Sequence, residues 1–176
     1  MFVQPTFRFT LGAPEVKIRA MHRDDVTAVQ TLEREIFGSS WQEEAFHNEL
    51  SHNPTANYLV LEDDQAEIVG YCGFWLVQDE AHVTSIALHP RARGQQWGKR
   101  LMHAMVVQAE QLGALWMTLE VRHDNTAAQQ LYRRFGFARV GVRPKYYEGR
   151  HDAWIMWAGN LKSQSYRERL RELASV

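Results

Sequence analysis

Three strand-like runs follow one another between Tyr58 and Leu88, and this succession limits the fold more than any other feature of the 176-residue chain. The runs are Tyr58–Leu61, Ile68–Val77 and His82–Leu88, with short acidic turns between them. Neighbouring strands joined by such turns pair antiparallel, which rules out a plain doubly wound parallel sheet. A sheet with mixed strand directions is therefore expected.

Helix-like segments surround these strands. Apolar residues at helical spacing predict helices over 26–36, from Ser40 onward, over 97–112 and over 125–135, with single strand-like runs between and after them. The order predicts an α/β fold: one domain with a central, mixed, twisted sheet of about six to seven strands and about four flanking helices. We expect an N-terminal extension over 1–15, the domain over 16–160, and a tail over 161–176 that can form a C-terminal helix.

Composition excludes several classes of protein. The formal net charge of -1 gives no reason to expect direct nucleic-acid binding. The single cysteine, Cys72, rules out an intrachain disulfide and a cysteine-based zinc site, and the eight histidines show no metal-binding spacing. No apolar stretch is long enough to span a membrane. We expect a cytoplasmic protein, a monomer or weak dimer, without a metal.

A basic turn leads from the third strand into the next helix. Between Arg91 and Arg100, four of the ten residues are Lys or Arg, and Gly94 and Gly98 allow close approach of a ligand to the backbone. The start of a helix offers unpaired N–H groups and a positive dipole end, so this turn can bind a phosphate group. The alternative is a solvated basic turn.

Two further residues are candidates for proton transfer. Glu120 lies near the end of an apolar strand, where burial would raise the pKa of its carboxyl group toward neutrality. The alternative is a structural ion pair with a nearby arginine. Tyr132 adjoins the apolar stripe of the helix over 125–135, and packing alone would account for its ring.

The joint order of these segments resembles the GNAT (Gcn5-related N-acetyltransferase) superfamily from about Val16 to Trp157, and is most similar to its bacterial RimI group, the ribosomal-protein alanine N-acetyltransferases. The strings that carry the resemblance are Leu76 to His82, Ser85-Ile86-Ala87-Leu88-His89-Pro90, Leu119-Glu120-Val121-Arg122, Asn125-Thr126-Ala127-Ala128, Leu131 to Phe137, and Arg143 through Tyr146-Tyr147.

The resemblance implies acetyl-CoA as co-substrate and a set of residues that bind it. The backbone of Ile86, Ala87 and Leu88 would pair with the pantetheine arm, and Asn125 would contact that arm. The pyrophosphate would lie on the turn formed by Arg93, Gly94, Gln95, Gln96, Trp97 and Gly98, with Lys99 close by.

It also implies residues for catalysis and for the acceptor. Glu120 would be the general base, Tyr132 the general acid near the sulfur, and His82 a residue that helps relay the proton through water. Trp41, Tyr146 and Tyr147 would grip the acceptor peptide. The alternative is that Trp41 packs inward and that the two tyrosines are turn and strand residues.

The sequence departs from the family pattern at two places. Gln96 stands where the first motif glycine is usual, and a residue other than glycine can still donate its N–H there if its φ stays negative. Gly38-Ser39-Ser40 replaces a proline usual in the RimI group, in a loop that borders the peptide site.

The expected activity is acetyl transfer by direct attack of a protein N-terminal α-amine, such as the N-terminal alanine of a small-subunit ribosomal protein. An α-amine has a pKa of about 8 against about 10.4 for lysine, so its deprotonation near pH 7 needs only a modest base. Three alternatives remain open: a lysine side chain as acceptor, a small-molecule amine such as a polyamine or an antibiotic, and a non-catalytic module that binds acetyl-CoA.

Overall fold

The computed structural model describes residues 7–9, 16–38 and 43–174. These residues form eight strands and five α-helices, which in chain order are β1 Phe7–Phe9, β2 Val16–Ala20, α1 Val26–Phe37, α2 Glu43–His52, β3 Ala56–Glu62, β4 Ile68–Val77, β5 Glu80–Leu88, α3 Trp97–Gln111, β6 Trp116–Arg122, α4 Thr126–Arg134, β7 Ala138–Tyr147, β8 His151–Gly159 and α5 Gln164–Ala174.

The chain divides into two compact units. The first comprises residues 1–75 and 84–108, and the second comprises residues 76–83 and 109–176. Strand β5 contributes its first residues to the second unit and its last residues to the first.

The first unit is built on antiparallel strands. Strand β1 pairs with β2, β2 with β3, and β3 with β4, each in the antiparallel sense. Side chains on one face of these strands pack with apolar residues of α1 and α2 into a continuous core, which consists of Met21, Val26, Val29, Leu32, Phe46, Tyr58, Val60, Tyr71 and Ala87. On the other face, Leu101 of α3 comes close to the backbone of Gly70.

Two carboxylates lie under the helices of the first unit. The Tyr71 hydroxyl donates to Glu33, which is 3% exposed. Glu49 accepts from Trp75 Nε1 at 2.6 Å and from the Tyr58 hydroxyl at 3.2 Å. These bonds satisfy polar groups that would otherwise be costly to bury. Burial, together with the adjacent carboxylates, raises the pKa of both tyrosines.

The second unit contains the parallel pair of the sheet. Residues 80–82 of β5 pair in parallel with residues 116–118 of β6, β6 pairs antiparallel with β8, and β8 pairs antiparallel with β7. The C-terminal helix α5 docks on this unit: the Tyr166 hydroxyl donates to the Phe135 carbonyl at 2.6 Å, and Leu170 is 6% exposed.

The predicted α/β class with a mixed central sheet is confirmed. Strand β1 lies within the segment that we interpreted as an N-terminal extension, which raises the number of strands above six to seven. The thiol of Cys72 is fully buried, and that burial raises its pKa, so it is a packed and unreactive group. Among the described residues, none of the helices has the length and apolar character needed to cross a bilayer.

The contact between Gly73 and Tyr58 provides a test of the packing in the first unit. A Cβ at Gly73 would lie 2.2 Å from Tyr58 Cε1, so Gly73→Ala must displace a buried ring. We expect a loss of about 1–3 kcal/mol in the free energy of unfolding, measured by chemical denaturation. The control is Gly98→Ala, whose Cβ would meet only Leu88 Cδ2 at 3.9 Å within a helix and should be neutral or stabilising. Equal effects of the two variants would contradict this description.

Candidate functional site

A carboxylate lies beside an imidazole and a guanidinium group on one face of the second unit. The side chain of Glu120 on β6 is 7% exposed. Its Oε2 lies 3.2 Å from His82 Nε2, and its Oε1 lies 3.3 Å from an Arg143 guanidinium nitrogen. The three residues come from β6, β5 and β7, so the cluster exists only when the strands pair in this register.

The register explains why these side chains meet. His82 is aligned with Thr118, two residues before Glu120, and alternate residues of a strand share a face. Glu120 is opposite Ile155, and Arg143 is opposite Ala153, so Arg143 reaches the same face from beyond β8. The pairing of the strands therefore brings together the Glu120 carboxylate, the His82 imidazole and the Arg143 guanidinium group.

The charges in this cluster shift each other's protonation. The bond from His82 lowers the pKa of Glu120, and the charges of His82 and Arg143 act in the same direction against the effect of burial. The bond to Glu120 raises the pKa of His82. The expectation of a raised pKa for Glu120 is therefore wrong, because partners distant in sequence hold the carboxylate ionised.

The hairpin between β7 and β8 carries the two predicted tyrosines. The Tyr147 hydroxyl donates to the Glu120 carbonyl at 3.1 Å, and burial raises the pKa of Tyr147 to about 12. Tyr146 is 48% exposed, and the centroid of its ring lies 5.5 Å from the Arg143 guanidinium carbon. Tyr147 thus supports the backbone of the carboxylate strand, whereas Tyr146 offers a surface. Trp41, the third predicted acceptor residue, lies outside the described residues.

Helix α4 is anchored to the end of β6. Asn125 caps this helix, because its Oδ1 accepts from the Ala128 N–H at 3.1 Å. The side-chain amide of Gln129, which is 2% exposed, donates to the carbonyls of Arg122 and His123. These bonds help to position the helix that carries Tyr132, a residue that is 6% exposed and whose ring centroid lies 6.0 Å from that of Phe137.

The basic turn lies in the first unit and has the backbone of an anion site. Gly94 has φ +78°, and no atom lies within 4 Å of a Cβ built there. Gln96 also adopts a left-handed conformation, with φ +63°, immediately before α3 begins at Trp97. The condition of a negative φ at Gln96 does not hold, and this residue instead takes the conformation of the glycine that it replaces, at a steric cost.

The residues of the turn fit a diphosphate. Helix geometry leaves the N–H groups of Trp97 and Gly98 at the start of α3 without intrahelical partners, whereas the Lys99 N–H donates to the Gln96 carbonyl at 3.0 Å. Arg93 is exposed, and the Trp97 indole N–H is buried without an acceptor among the described residues. In contrast, Arg91 is engaged by Glu67 and Asp63, so its charge does not serve this site. Lys99 is 7% exposed.

The strand before the turn offers its backbone more than its side chains. Ala87 is 5% exposed and belongs to the core. Leu88 packs near Gly70 and Gly98, and Ile86 is partly buried. Because these three side chains are apolar, the polar groups that the three residues can offer to a ligand are those of their main chain.

Two residues of the site received no role from the sequence. Arg143 provides the second cation for Glu120, and Gln129 holds α4 against β6. The Arg143 position was part of the resemblance, but only the pairing of β7 with β8 shows that it reaches Glu120. An amide on the buried side of an amphipathic helix would have been the signal for Gln129.

Comparison with known proteins identifies the family. The family model described as "Acetyltransferase (GNAT) family" matches residues 26–137. A Bacillus subtilis relative, provisionally named a ribosomal protein bS18-alanine N-acetyltransferase, is 41% identical over 80% of this chain and 93% of its own length. The N-alpha-acetyltransferase RimI of Mycobacterium tuberculosis is 34% identical over 78% of this chain and 88% of its own length.

Solved structures share the fold. The crystal structure of the ribosomal-protein-S18-alanine N-acetyltransferase from Escherichia coli matches with a TM-score of 0.75 and 27% identity, over 82% of this chain and 94% of that one. A spermidine/spermine N-acetyltransferase from Vibrio cholerae matches with a TM-score of 0.73 and 22% identity, over 88% of this chain and 97% of that one, and supports the fold alone. The predicted acetyltransferase fold is confirmed.

The left-handed conformation of Gln96 leads to a stability prediction. Gln96→Gly removes the steric cost of a positive φ, and we expect the free energy of unfolding to rise by about 0.5–1 kcal/mol in the absence of ligand. The control, Gln96→Ala, keeps that cost and should show no such gain. A Gly variant that is less stable than the Ala variant in thermal or chemical denaturation would contradict the assignment.

The ion pair leads to a pH-dependent stability prediction. Because the pKa of Glu120 is lowered in the folded protein, its ionised form stabilises the fold above pH 4.5, the ordinary pKa of the group. This stabilisation is lost as the pH falls through the pKa of the folded state. His82, with a raised pKa, stabilises fully below its ordinary value of 6.5, and the effect fades as pH rises through the folded pKa. We therefore expect His82→Gln to cause its largest loss in the free energy of unfolding between pH 4.5 and pH 6.5.

The measurement is chemical denaturation of wild type and His82→Gln in half-unit steps from pH 4 to pH 9. His123→Gln, which changes an exposed histidine outside the cluster, is the matched control and should show no maximum in that window. A stability difference for His82→Gln that stays constant across the range would show that the pair is not ionised.

Proposed function

Because this chain belongs to the acetyltransferase (GNAT) family, we propose that it moves the acetyl group of acetyl-CoA to the α-amine at a protein N-terminus. The observation that carries the proposal is the Glu120–His82 pair, in which a carboxylate oxygen lies 3.2 Å from the imidazole Nε2. The N-terminal alanine of ribosomal protein bS18 is the proposed acceptor, since several relatives bear that name.

The pair divides the work of proton removal between its members. Glu120 is nearly enclosed and keeps its negative charge, while the His82 side chain is 36% exposed. The carboxylate raises the pKa of His82 toward that of an α-amine, so the proton lost by the ammonium group passes to the imidazole directly or through water. Glu120 therefore acts as general base indirectly, because it orients the His82 ring that receives the proton and makes that ring more basic.

Acetyl transfer then proceeds by direct attack. The free amine nitrogen forms a bond to the thioester carbonyl carbon, and a backbone N–H near Leu88 stabilises the negative charge that develops on the oxygen. The carbon–sulfur bond breaks, the thiolate takes the proton of the Tyr132 hydroxyl, and the attacking nitrogen releases its second proton to solvent, from which the hydroxyl is reprotonated. Arg93, Gly94, Gln95, Gln96, Trp97, Gly98 and Lys99 would hold the diphosphate, while Asn125 and the backbone of Ile86, Ala87 and Leu88 would align the pantetheine arm.

A protein N-terminus suits this base better than a lysine does. Deprotonation at pH 7 costs roughly 1.4 kcal/mol for an α-amine with a pKa near 8, and nearly 5 kcal/mol for a lysine with a pKa near 10.4. The exposed Tyr146 ring beside Arg143 adds a surface for the first residues of a peptide.

Removal of the acid or base should lower the rate of acetylation of an N-terminal alanine peptide. We expect Glu120→Gln and Tyr132→Phe each to reduce kcat by about a hundredfold or more, with acetyl-CoA affinity nearly unchanged in calorimetry. The matched control is Glu110→Gln, which removes a carboxylate that pairs with Arg167 on the helical side of the same unit. Wild-type rates in both variants would reduce Glu120 and Tyr132 to structural roles.

The acceptor is tested with a panel of amines. We expect N-terminal alanine peptides to have higher kcat/KM than free lysine, lysine side chains in blocked peptides or spermidine, and Tyr146→Ala to raise KM for the peptide without changing KM for acetyl-CoA. Faster acetylation of spermidine or of a lysine side chain than of every N-terminal peptide would overturn the proposed acceptor. Absence of turnover with all acceptors, despite acetyl-CoA binding, would favour a non-catalytic module.

A further inference from the structure

An aromatic surface lies in the second unit, near the start of β6. Trp116 and Trp157 are 45% and 42% exposed, and their ring centroids are 6.4 Å apart. Contiguous exposed apolar surface is a feature of binding sites, and these two adjacent indoles form such a surface. The mechanism described above uses neither of them.

The aromatic surface shares the face of the sheet that bears Glu120. Trp116, Thr118 and Glu120 alternate along β6 and point to one side, and Trp157 is directly opposite Thr118. Four residues of strand separate Trp116 from Glu120, which corresponds to about 13 Å. The surface and the proposed proton acceptor are therefore parts of one continuous face.

Trp116 is held flat on this face. Its partner across the sheet is Gly159, and a Cβ on Gly159 would lie 2.2 Å from the Trp116 ring. The missing side chain lets the indole lie against the strand with its other side toward solvent. The orientation of the ring is thus set before any ligand binds, which lowers the entropy cost of binding.

The surroundings of the aromatic surface favour a cation. Glu80 on β5 is aligned with Trp116, so its carboxylate belongs to the same face of the sheet as the indole. On the opposite face, Trp154 lies under the guanidinium groups of Arg139 and Arg133, at 4.8 Å and 5.7 Å. Within the described part of the chain no such cation covers Trp116 or Trp157. A guanidinium or ammonium group would find both a ring face and a negative charge here.

We propose that Trp116, Trp157 and Glu80 bind a lysine or arginine side chain of the acceptor polypeptide, about four residues beyond the amine that is acetylated. The proposal rests on the proposed function, which places that amine at His82 and Glu120. An extended chain covers about 13 Å in four residues, so one peptide reaches both places. The enzyme then selects a basic segment downstream of the N-terminus in addition to the N-terminal residue.

The test compares two peptides that share an N-terminal alanine and differ only at positions four to six, which are arginine in one and glutamine in the other. We expect wild type to show a KM for the arginine peptide lower by about threefold to thirtyfold, the range of one or two cation–π contacts. The double variant Trp116→Ala, Trp157→Ala should lose this preference with kcat retained. Glu80→Gln should weaken the preference and reduce its dependence on salt.

Val140→Ala is the matched control, since it trims an apolar side chain that is 59% exposed on β7 and should keep the preference. Equal KM values of wild type for the two peptides, or a double variant that keeps the preference, would overturn the proposal. Calorimetry with the arginine peptide already acetylated at its N-terminus tests the aromatic surface separately from the proposed acetyltransferase activity. If neither peptide is acetylated, the proposed function is wrong. The aromatic surface is then supported if wild type binds the acetylated arginine peptide and the double variant does not, and it is refuted if both bind it equally or neither binds it.

Discussion

The second unit depends on one electrostatic constraint, which is an ionised carboxylate with little access to water. A lone carboxylate in the position of Glu120 would be costly to bury, and it remains charged only because His82 and Arg143 lie within about 3.3 Å of it. Those partners belong to two other strands. The parallel pairing of β5 with β6 and the insertion of β8 between β6 and β7 are therefore both needed for the charge to be stable.

The same constraint divides the chemical roles. Because Arg143 and His82 both stabilise the negative charge, Glu120 is a poor proton acceptor by itself, and its effect is to make the exposed imidazole a better one. The Tyr147 hydroxyl donates a hydrogen bond to the carbonyl of Glu120 and so holds the backbone of β6 at the residue that bears the charge. Acetyl transfer to an α-amine needs a base of this moderate strength, whereas a lysine acceptor would demand a stronger one.

Much of the secondary structure could be predicted because hydrophobic periodicity is a local property. The strand over Ile68–Val77 was predicted with the bounds that the structure has, and α4 differs from its prediction by one residue at each end. The protonation of Glu120 could not be predicted in this way. Its partners lie 38 and 23 residues away in the chain, and only the register of the sheet shows that they reach the carboxylate.

The backbone conformation at Gln96 could not be predicted, for a different reason. A motif identifies where an anion can bind, but it does not specify φ when a glycine is replaced, and the turn keeps its glycine-like conformation despite the side chain. The resemblance to a family likewise indicated which residues to consider and not how they share a proton. Arg143 belonged to a matching string and still had no role until the strands were paired.

The dependence of kcat on pH, for wild type and Glu120→Gln with saturating acetyl-CoA and N-terminal alanine peptide, tests the central claim most directly. If Glu120 raises the pKa of an imidazole that receives the proton, wild-type kcat rises with pH through a midpoint above 6.5, the ordinary value for histidine. In Glu120→Gln that midpoint moves to lower pH and the plateau falls. A midpoint that is the same in both enzymes would contradict the account, because the carboxylate would then have no influence on the group that takes the proton.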